Sequence, residues 1–176
     1  LEEAVLQVLR SGQYIGGAAV QAFEDAFATS VETSHAVGCN SGTDALILGL
    51  RALDIGPGDE VITCSFSFFA TAEAISAVGA TPVFVDVDPT TYLIDLDQIE
   101  AAITPATKAL MPVHLFGRPV DMTRLMAIAK AQASSYNLLP VKGGVLIVTV
   151  NDRDKATVTP ILRRLHDLSF EIRATK

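Results

Sequence analysis

The sequence predicts an α/β protein in which a mostly parallel sheet carries helices on both faces. Two observations support this fold class. Short apolar runs alternate with segments of helical periodicity along the chain, and turn-forming residues separate them. Hydrophobic residues make up 49% of the 176 residues and charged residues only 19%, so we expect the chain to fold around a buried core.

Each predicted element has its own local signal. A helical spacing of apolar residues indicates the helices, and the first of them ends at Gly12. Predicted helices cover residues 1–12, 19–30, 41–53, 69–78, 95–103, 121–132 and 154–168. Short runs rich in apolar residues indicate the strands. Predicted strands cover residues 35–40, 60–64, 81–88, 108–114, 144–150 and 170–174, and residues 133–144 are predicted as a loop.

Charge and composition argue against several classes of function. The net charge of −7 disfavours binding to nucleic acid or to an anionic membrane surface, because both recruit lysine and arginine. Cys39 and Cys64 lack the spacing of a metal site or a disulfide framework, so a reduced, cytoplasmic setting is expected. No apolar run has the length of a membrane span. A small-molecule ligand is therefore expected.

A small-residue turn that opens a helix is the first candidate site. In the stretch CNSGTDALILGL, Ser41 or Thr43 is placed to cap the helix. The backbone N–H groups of Gly42, Thr43 and Asp44 could bind a phosphate, because a helix start presents unpaired N–H groups and the positive end of the helix dipole. The same pattern fits an ordinary capped helix. From these residues alone, both interpretations stay open.

The ends of two predicted strands carry further candidate residues. Phe66, Phe68 and Phe69 follow one strand, at the edge where α/β folds place ligands, although each of them alone is more typical of a core residue. His114 and Arg118 follow another strand, in the stretch VHLFGRP. A single histidine at such a place is more typical of a hydrogen-bonded structural residue than of a catalyst.

Together, these motifs resemble those of a known enzyme family. The stretches SGQYIGG, FEDAFA, AVGCNSGTDALILGLRALDIGPGDEVIT, SFFATAEAISAVGATPVFVDVDPTTYLID and TPATKALMPVHLFGRPVDM occur in the order and spacing of the DegT/DnrJ/StrS nucleotide-sugar aminotransferases. That family consists of fold-type-I enzymes that use pyridoxal phosphate. The resemblance covers residues 1–131, which we therefore expect to form part of the large domain of such an enzyme.

The resemblance also implies roles for individual residues. It implies that Gly42, Thr43 and Asp44 hold the phosphate of pyridoxal phosphate through their backbone amides, and that Phe68 stacks on the pyridine ring. The stretch SGQYIGG matches a loop near the substrate and the dimer contact, and the family builds its sites at a homodimer interface. The implied reaction transfers an amino group from a donor such as glutamate to a keto nucleotide-sugar.

The lysine that binds the cofactor covalently in this family is not recognised in this chain. None of the five lysines matches the family's lysine motif; they are Lys108, Lys130, Lys142, Lys155 and Lys176. The resemblance therefore implies a chain truncated before that lysine, with weakened or lost cofactor binding and no appreciable transamination on its own. The transaminase and dehydratase subclasses of the family both stay open.

The end of the chain resembles a different protein. Residues 132–176 are similar to the start of the allosteric, methylglyoxal-synthase-like domain of the carbamoyl phosphate synthase large chain, which implies a partial effector segment. By this resemblance, Thr149, Lys155 and Thr175 match residues that contact the phosphate of a nucleotide effector. The two resemblances meet at residues 129–132. A chimera of the two families is therefore expected.

Several functions stay open at this point. The chain could carry an aminotransferase lineage, act as a non-catalytic module that binds a phosphate or a nucleotide, or be a folded fragment without activity. The second hypothesis uses either the turn at residues 41–44 or Thr149 with Lys155. Asp152, which follows the predicted strand at residues 144–150, could face the ring nitrogen of the cofactor or simply cap the next helix with Asn151.

Overall fold

The structure is a computed structural model that describes residues 1–30 and 35–132, together with the backbone of residues 137–138, 141–142 and 145–146. The chain divides into two compact units, Leu1–Gly38 and Cys39–Lys176. In the part of the chain that the structure describes, no helix has both the length and the apolar character that a bilayer crossing requires.

The first unit contains two helices, as the periodicity predicts. Helix α1 covers Glu2–Ser11 and helix α2 covers Ala18–Ser30. Gly12 ends α1 with a left-handed backbone (φ 70°), a conformation that glycine adopts without a steric penalty. The predicted end of the first helix is therefore confirmed.

The strand predicted at residues 35–40 is wrong. These residues have no regular secondary structure and pair with none of the strands that the structure describes. A strand is stabilised by hydrogen bonds to a neighbouring strand. Apolar residues such as Val37 favour a strand, but they do not determine whether a neighbouring strand is there to pair with. The N–H group of Gly38 instead donates a hydrogen bond of 2.6 Å to Oε1 of Glu24 in α2.

The second unit alternates helices and strands, close to the predicted ranges. Its helices are α3 (Gly42–Ala52), α4 (Ala70–Ala77), α5 (Leu96–Ala102) and α6 (Met122–Gln132), with a short 3-10 turn at Leu115–Gly117. Its first three strands are β1 (Glu60–Cys64), β2 (Thr81–Val85) and β3 (Thr107–Met111). The short strands β4 (Asn137–Leu138), β5 (Val141–Lys142) and β6 (Val145–Leu146) follow α6.

The strands β1 to β4 form one parallel sheet in the order β2-β1-β3-β4. In the register of this sheet, Thr63 of β1 lies beside Met111 of β3, and Cys64 lies beside Val85 of β2. The buried hydroxyl of Thr63 also donates a hydrogen bond of 2.8 Å to the carbonyl oxygen of Met111. The carboxyl ends of β1, β2 and β3 therefore meet at one edge of the sheet.

Apolar side chains cover both faces of the sheet, which confirms the predicted layers. Val61 packs in a cluster with Leu50 of α3 and Ile75 of α4. Its neighbour Ile62 packs in a second cluster with Ile99 of α5 and Leu125 of α6. Because successive side chains of a strand point to opposite faces, α3 and α4 lie on one face and α5 and α6 lie on the other.

The residues after α6 depart from the predicted loop. Asn137 and Leu138 pair in parallel with Ala109 and Leu110 of β3, so this stretch adds an edge strand to the sheet. Strands β5 and β6 pair antiparallel with each other. A two-residue strand is defined by its pairing partner, so a polar, glycine-rich sequence does not reveal it. The helix and strand predicted at residues 154–168 and 170–174 lie outside the described residues.

Candidate functional site

The start of α3 carries open hydrogen-bond donors. Ser41 has an extended backbone, and its Oγ accepts a hydrogen bond of 3.0 Å from the N–H group of Asp44, which confirms Ser41 as the cap. Among the described residues, the N–H groups of Gly42 and Thr43 have no hydrogen-bond partner. Ser41 and Gly42 are exposed and Thr43 is partly buried, so the start of α3 faces solvent.

Asp44 places a carboxylate in the first turn of α3, and a carboxylate repels an anion. The side-chain amide of Asn40 donates a hydrogen bond to Oδ2 of Asp44. The N–H group of Asp44 is already bonded to Ser41 Oγ, which leaves the hydroxyl hydrogen of Ser41 free to donate in its place. The site thus offers two backbone donors and one hydroxyl donor at the positive end of an eleven-residue helix, a set that fits a phosphate.

The aromatic side chains after β1 face solvent. Phe66, Phe68 and Phe69 are 50%, 78% and 74% exposed, so the interpretation of these residues as core is wrong for all three. Phe66 makes a tilted ring contact with Tyr92, with 5.9 Å between ring centroids. Phe68 makes no contact with another aromatic ring among the described residues, and most of its side chain faces solvent.

The turn that follows β3 is built around His114. The Nδ1 atom of His114 accepts a hydrogen bond of 3.1 Å from the N–H group of Val120, which requires the neutral ring with its proton on Nε2. Burial lowers the pKa of His114 below its ordinary value of 6.5. The expectation of a hydrogen-bonded structural histidine is confirmed by this geometry. Arg118, four residues later, is exposed.

This histidine makes folding stability depend on pH. Because the folded state holds His114 neutral and lowers its pKa, its contribution is fully present above about pH 6.5 and is lost as the pH falls through the folded pKa. We expect urea unfolding to show lower stability at pH 5.5 than at pH 7.5. His114→Asn, which keeps an acceptor for Val120 but does not titrate, should reduce this difference. An equal pH dependence in both proteins would contradict the assignment.

The candidate residues of the second unit gather toward one edge of the sheet. Phe68 follows β1 by four residues, and His114 follows β3 by three, so both lie beyond the carboxyl edge. Helix α3 ends just before the short connection to the start of β1, so it runs back along the sheet and its N-terminus points toward the same edge. Open α/β sheets bind their ligands at that edge.

The loop between α1 and α2 belongs to the first unit. Residues 12–18 line an open cavity of about 460 Å³. The side chains of Tyr14 and Ile15, which belong to this lining, are exposed. The hydroxyl of Tyr14 donates a hydrogen bond of 3.0 Å to the carbonyl oxygen of Leu9, which fixes the loop on the end of α1. This loop is the SGQYIGG stretch that the sequence resemblance places near substrate.

The sequence model of the DegT/DnrJ/EryC1/StrS aminotransferase family matches residues 1–134. The chain belongs to this family. The predicted resemblance of the first three quarters of the chain is therefore confirmed, and the sheet and helices above are those of a fold-type-I aminotransferase.

Individual family members are similar over the same part of the chain. The UDP-N-acetyl-3-dehydro-α-D-glucosamine 3-aminotransferase of Acidithiobacillus ferrooxidans is 56% identical over 124 residues, which are 70% of this chain and 34% of that enzyme. The crystal structure of DesV from S. venezuelae, in complex with a ketimine intermediate, matches with a TM-score of 0.75 and 47% identity, covering 78% of this chain and 36% of DesV.

NtdA from Bacillus subtilis, solved with its cofactor PMP bound, matches with a TM-score of 0.72 and 42% identity. The match covers 73% of this chain and 30% of NtdA. This chain thus spans about a third of the length of these family members.

Several predicted site residues lie outside the described residues. They are Thr149, Lys155 and Thr175, assigned to a nucleotide effector, and Asp152, assigned to the cofactor ring or to a helix cap. The structure brings Gly42, Thr43 and Asp44 together at one helix start and places Phe68 beyond β1.

By the family resemblance, Phe116 lies in the stretch VHLFGRPVDM, which matches a segment lining the site, but His114 and Arg118 are the residues singled out there from the sequence. The backbone of Phe116 is left-handed (φ 55°, ψ 24°) and its side chain is 86% exposed. The only local feature of the sequence that points to this unusual backbone is the position of Phe116 directly before Gly117 in a turn.

Proposed function

We propose that this chain carries the cofactor-binding part of a pyridoxal phosphate-dependent sugar aminotransferase that acts on a keto nucleotide-sugar. The observation that carries the proposal is the start of α3, where Gly42 and Thr43 present open N–H groups next to the hydroxyl of Ser41. Three convergent donors and a helix dipole are suited to a phosphate dianion. PMP, which is bound in NtdA, is the amine form of the same cofactor.

Within this proposal, two elements of the second unit hold the cofactor. Gly42, Thr43 and Ser41 bind the phosphate, and the exposed ring of Phe68 stacks on the pyridine ring. Asp44 contributes to the turn through its N–H bond to Ser41. When bound, the cofactor supplies the electron sink that amino transfer requires. The protein's part is to fix the phosphate and the ring plane relative to the sheet edge.

The substrate class of the proposal comes from similar proteins. The A. ferrooxidans enzyme is named for amino transfer to a keto sugar carried on UDP. We propose a keto nucleotide-sugar as acceptor and an amino acid such as glutamate as donor. From the family resemblance, we also propose that the whole protein forms a homodimer and lies in the cytoplasm.

Cofactor binding and amino transfer are separate parts of this proposal. None of the five lysines matches the family's lysine motif, and Lys108 lies exposed on β3. We therefore propose that this chain alone binds the phosphate of the cofactor without appreciable transamination. The interpretation of residues 132–176 as an effector segment, and of the whole as a chimera, is carried by the sequence resemblance alone and stays a proposal.

A calorimetric titration tests the proposed function. We expect saturable binding of pyridoxal phosphate to the full chain and much weaker binding of pyridoxal, because pyridoxal lacks the phosphate that α3 would hold. Inorganic phosphate should compete with the cofactor. Equal binding of pyridoxal and pyridoxal phosphate would contradict the proposal, since aldehydes also react with exposed lysines anywhere on the surface.

A further inference from the structure

The loop that carries Phe68 is held against the turn that follows β2. The N–H group of Ser65 donates a hydrogen bond of 2.9 Å to the carbonyl oxygen of the last residue of β2. The hydroxyl of Ser65 donates a second bond, of 3.1 Å, to Oδ1 of Asp86. Next along the chain, the ring of Phe66 contacts the ring of Tyr92, with 5.9 Å between the centroids. This ring contact lies only two residues before Phe68.

The turn after β2 (residues 86–95) is itself closed and anchored. Val87 and Ile94 form an antiparallel bridge, and the N–H group of Asp95 donates a hydrogen bond of 2.9 Å to the carbonyl oxygen of Asp86. Ile94 is also buried in the apolar cluster that includes residues of α5 and α6. The turn therefore gives the neighbouring loop a fixed support.

Tyr92 presents its ring from this turn on a strained backbone. Its φ of 59° is uncommon for any residue other than glycine, and at 51% exposure the side chain recovers only part of that cost through burial. Asp88 holds the strained backbone. The carbonyl oxygen of Asp88 accepts the N–H group of Tyr92 at 2.8 Å, and its carboxylate accepts those of Thr90 and Thr91 at 3.1 and 2.7 Å. Among the described residues, the ring of Phe66 is the aromatic partner of Tyr92.

The chain on the other side of Phe68 is also fixed. The N–H group of Thr71 donates a hydrogen bond of 3.1 Å to the carbonyl oxygen of Phe68, and the hydroxyls of Ser67 and Thr71 share a bond of 3.0 Å. Thr71 is buried in the first turn of α4. The backbone of Phe68 thus lies between two anchors, while its ring is 78% exposed. An exposed ring has few side-chain contacts to hold it, so its position depends on how the backbone is held.

We propose that Tyr92 and Asp86 are positioning residues for Phe68. Tyr92 acts through its ring contact with Phe66, and Asp86 acts through its hydrogen bond to Ser65. Neither residue needs to contact the cofactor. Stacking contributes most to affinity when the ring is already held in its bound orientation, because a loose loop must be ordered on binding. The inference rests on the proposed function, which assigns the stacking contact to Phe68.

Calorimetric titration of the full chain with pyridoxal phosphate, and separately with inorganic phosphate, tests this role. We expect Phe68→Ala to weaken cofactor binding by about two- to tenfold, the range of a single aromatic contact. Tyr92→Asn removes the supporting ring but suits the left-handed backbone, and it should weaken binding by about two- to fivefold, since a positioning residue cannot contribute more than the contact it positions. Tyr92→Phe keeps the ring and should bind like the parent chain. Inorganic phosphate should bind equally to all of them.

A double-mutant cycle separates positioning from a general loss of stability. In a Phe68→Ala background, Tyr92→Asn should have no further effect on cofactor binding, because the ring that it positions is gone. Asp86→Ala, which removes the acceptor for Ser65, should weaken cofactor binding, whereas Asp86→Asn keeps an oxygen acceptor and should not. The inference is overturned if Tyr92→Asn leaves cofactor binding unchanged, or weakens it equally with and without the ring of Phe68.

Amide NMR of the cofactor-free chain keeps the test independent of the proposed function. In the parent chain, the order parameter of the Phe68 amide should be about 0.85, the value of a rigid backbone, and it should fall in Tyr92→Asn but not in Tyr92→Phe. Equal order parameters in the parent and Tyr92→Asn overturn the inference even where pyridoxal phosphate binds. A fall in Tyr92→Asn, in a parent chain that binds no pyridoxal phosphate, supports the positioning of Phe68 and contradicts the proposed function.

Discussion

Gly42→Pro is expected to weaken the binding of pyridoxal phosphate by about ten- to a hundredfold, the loss that corresponds to one hydrogen bond to a charged group. Proline removes the N–H donor of residue 42. It is nevertheless well suited to the first position of a helix, where Gly42 stands after its cap Ser41. The extended backbone of Ser41 (φ −156°, ψ 162°) is also compatible with a following proline.

The matched control for this substitution is Gly42→Ala. Alanine adds the same Cβ atom as proline but keeps the N–H group, so any difference between the two variants reports on the donor itself. Both variants should retain the helical signal of the parent chain in circular dichroism. Calorimetric titration with pyridoxal phosphate measures the effect. If proline and alanine bind the cofactor equally well, the N–H group of residue 42 does not hold its phosphate.

Leu125→Ala is expected to lower the free energy of unfolding by about 2–5 kcal/mol, the usual cost of a large cavity in a core. Leu125 is fully buried in α6 and packs in one cluster with Ile99 of α5 and with Ile62 and Leu110 of the sheet. Its removal leaves a cavity between the sheet and the two helices on that face. Urea unfolding measures the change.

Leu9→Ala is the control for this core substitution. Leu9 lies on α1 and is 54% exposed, so its truncation is expected to change the stability by no more than about 0.5 kcal/mol. A loss below about 1 kcal/mol for Leu125→Ala would mean that α6 does not pack on the sheet as described.

The local signals of the sequence predict most of the second unit correctly. Ser41 predicts the start of α3 because a cap acts through its own neighbours, and the apolar run at residues 60–64 predicts β1 because a buried parallel strand is apolar on both faces. Residues 35–40 have a similar composition but no described pairing partner. Pairing depends on distant residues, so composition alone does not reveal its absence.

The candidate site is only partly predictable for the same reason. The helix start at Gly42 can be recognised from small residues and a cap, and its open donors follow from helix geometry. The sequence does not reveal that Phe66, Phe68 and Phe69 are exposed. Aromatic residues are usually buried, and whether a given one is exposed depends on residues that are distant in the sequence. Phe116 is harder still, since phenylalanine does not indicate a left-handed backbone.

The central claim is that the first N–H groups of α3 bind the cofactor phosphate, and amide NMR of the ¹⁵N-labelled chain tests it most directly. Addition of pyridoxal phosphate should shift the amide signals of Gly42 and Thr43 in a saturable way, and an excess of inorganic phosphate should occupy the same donors. The amide of Gly58, in the turn that leads into β1 at the opposite end of the strands, serves as the internal reference and should not move. If Gly42 and Thr43 stay unchanged while other amides shift, the start of α3 is not the phosphate site.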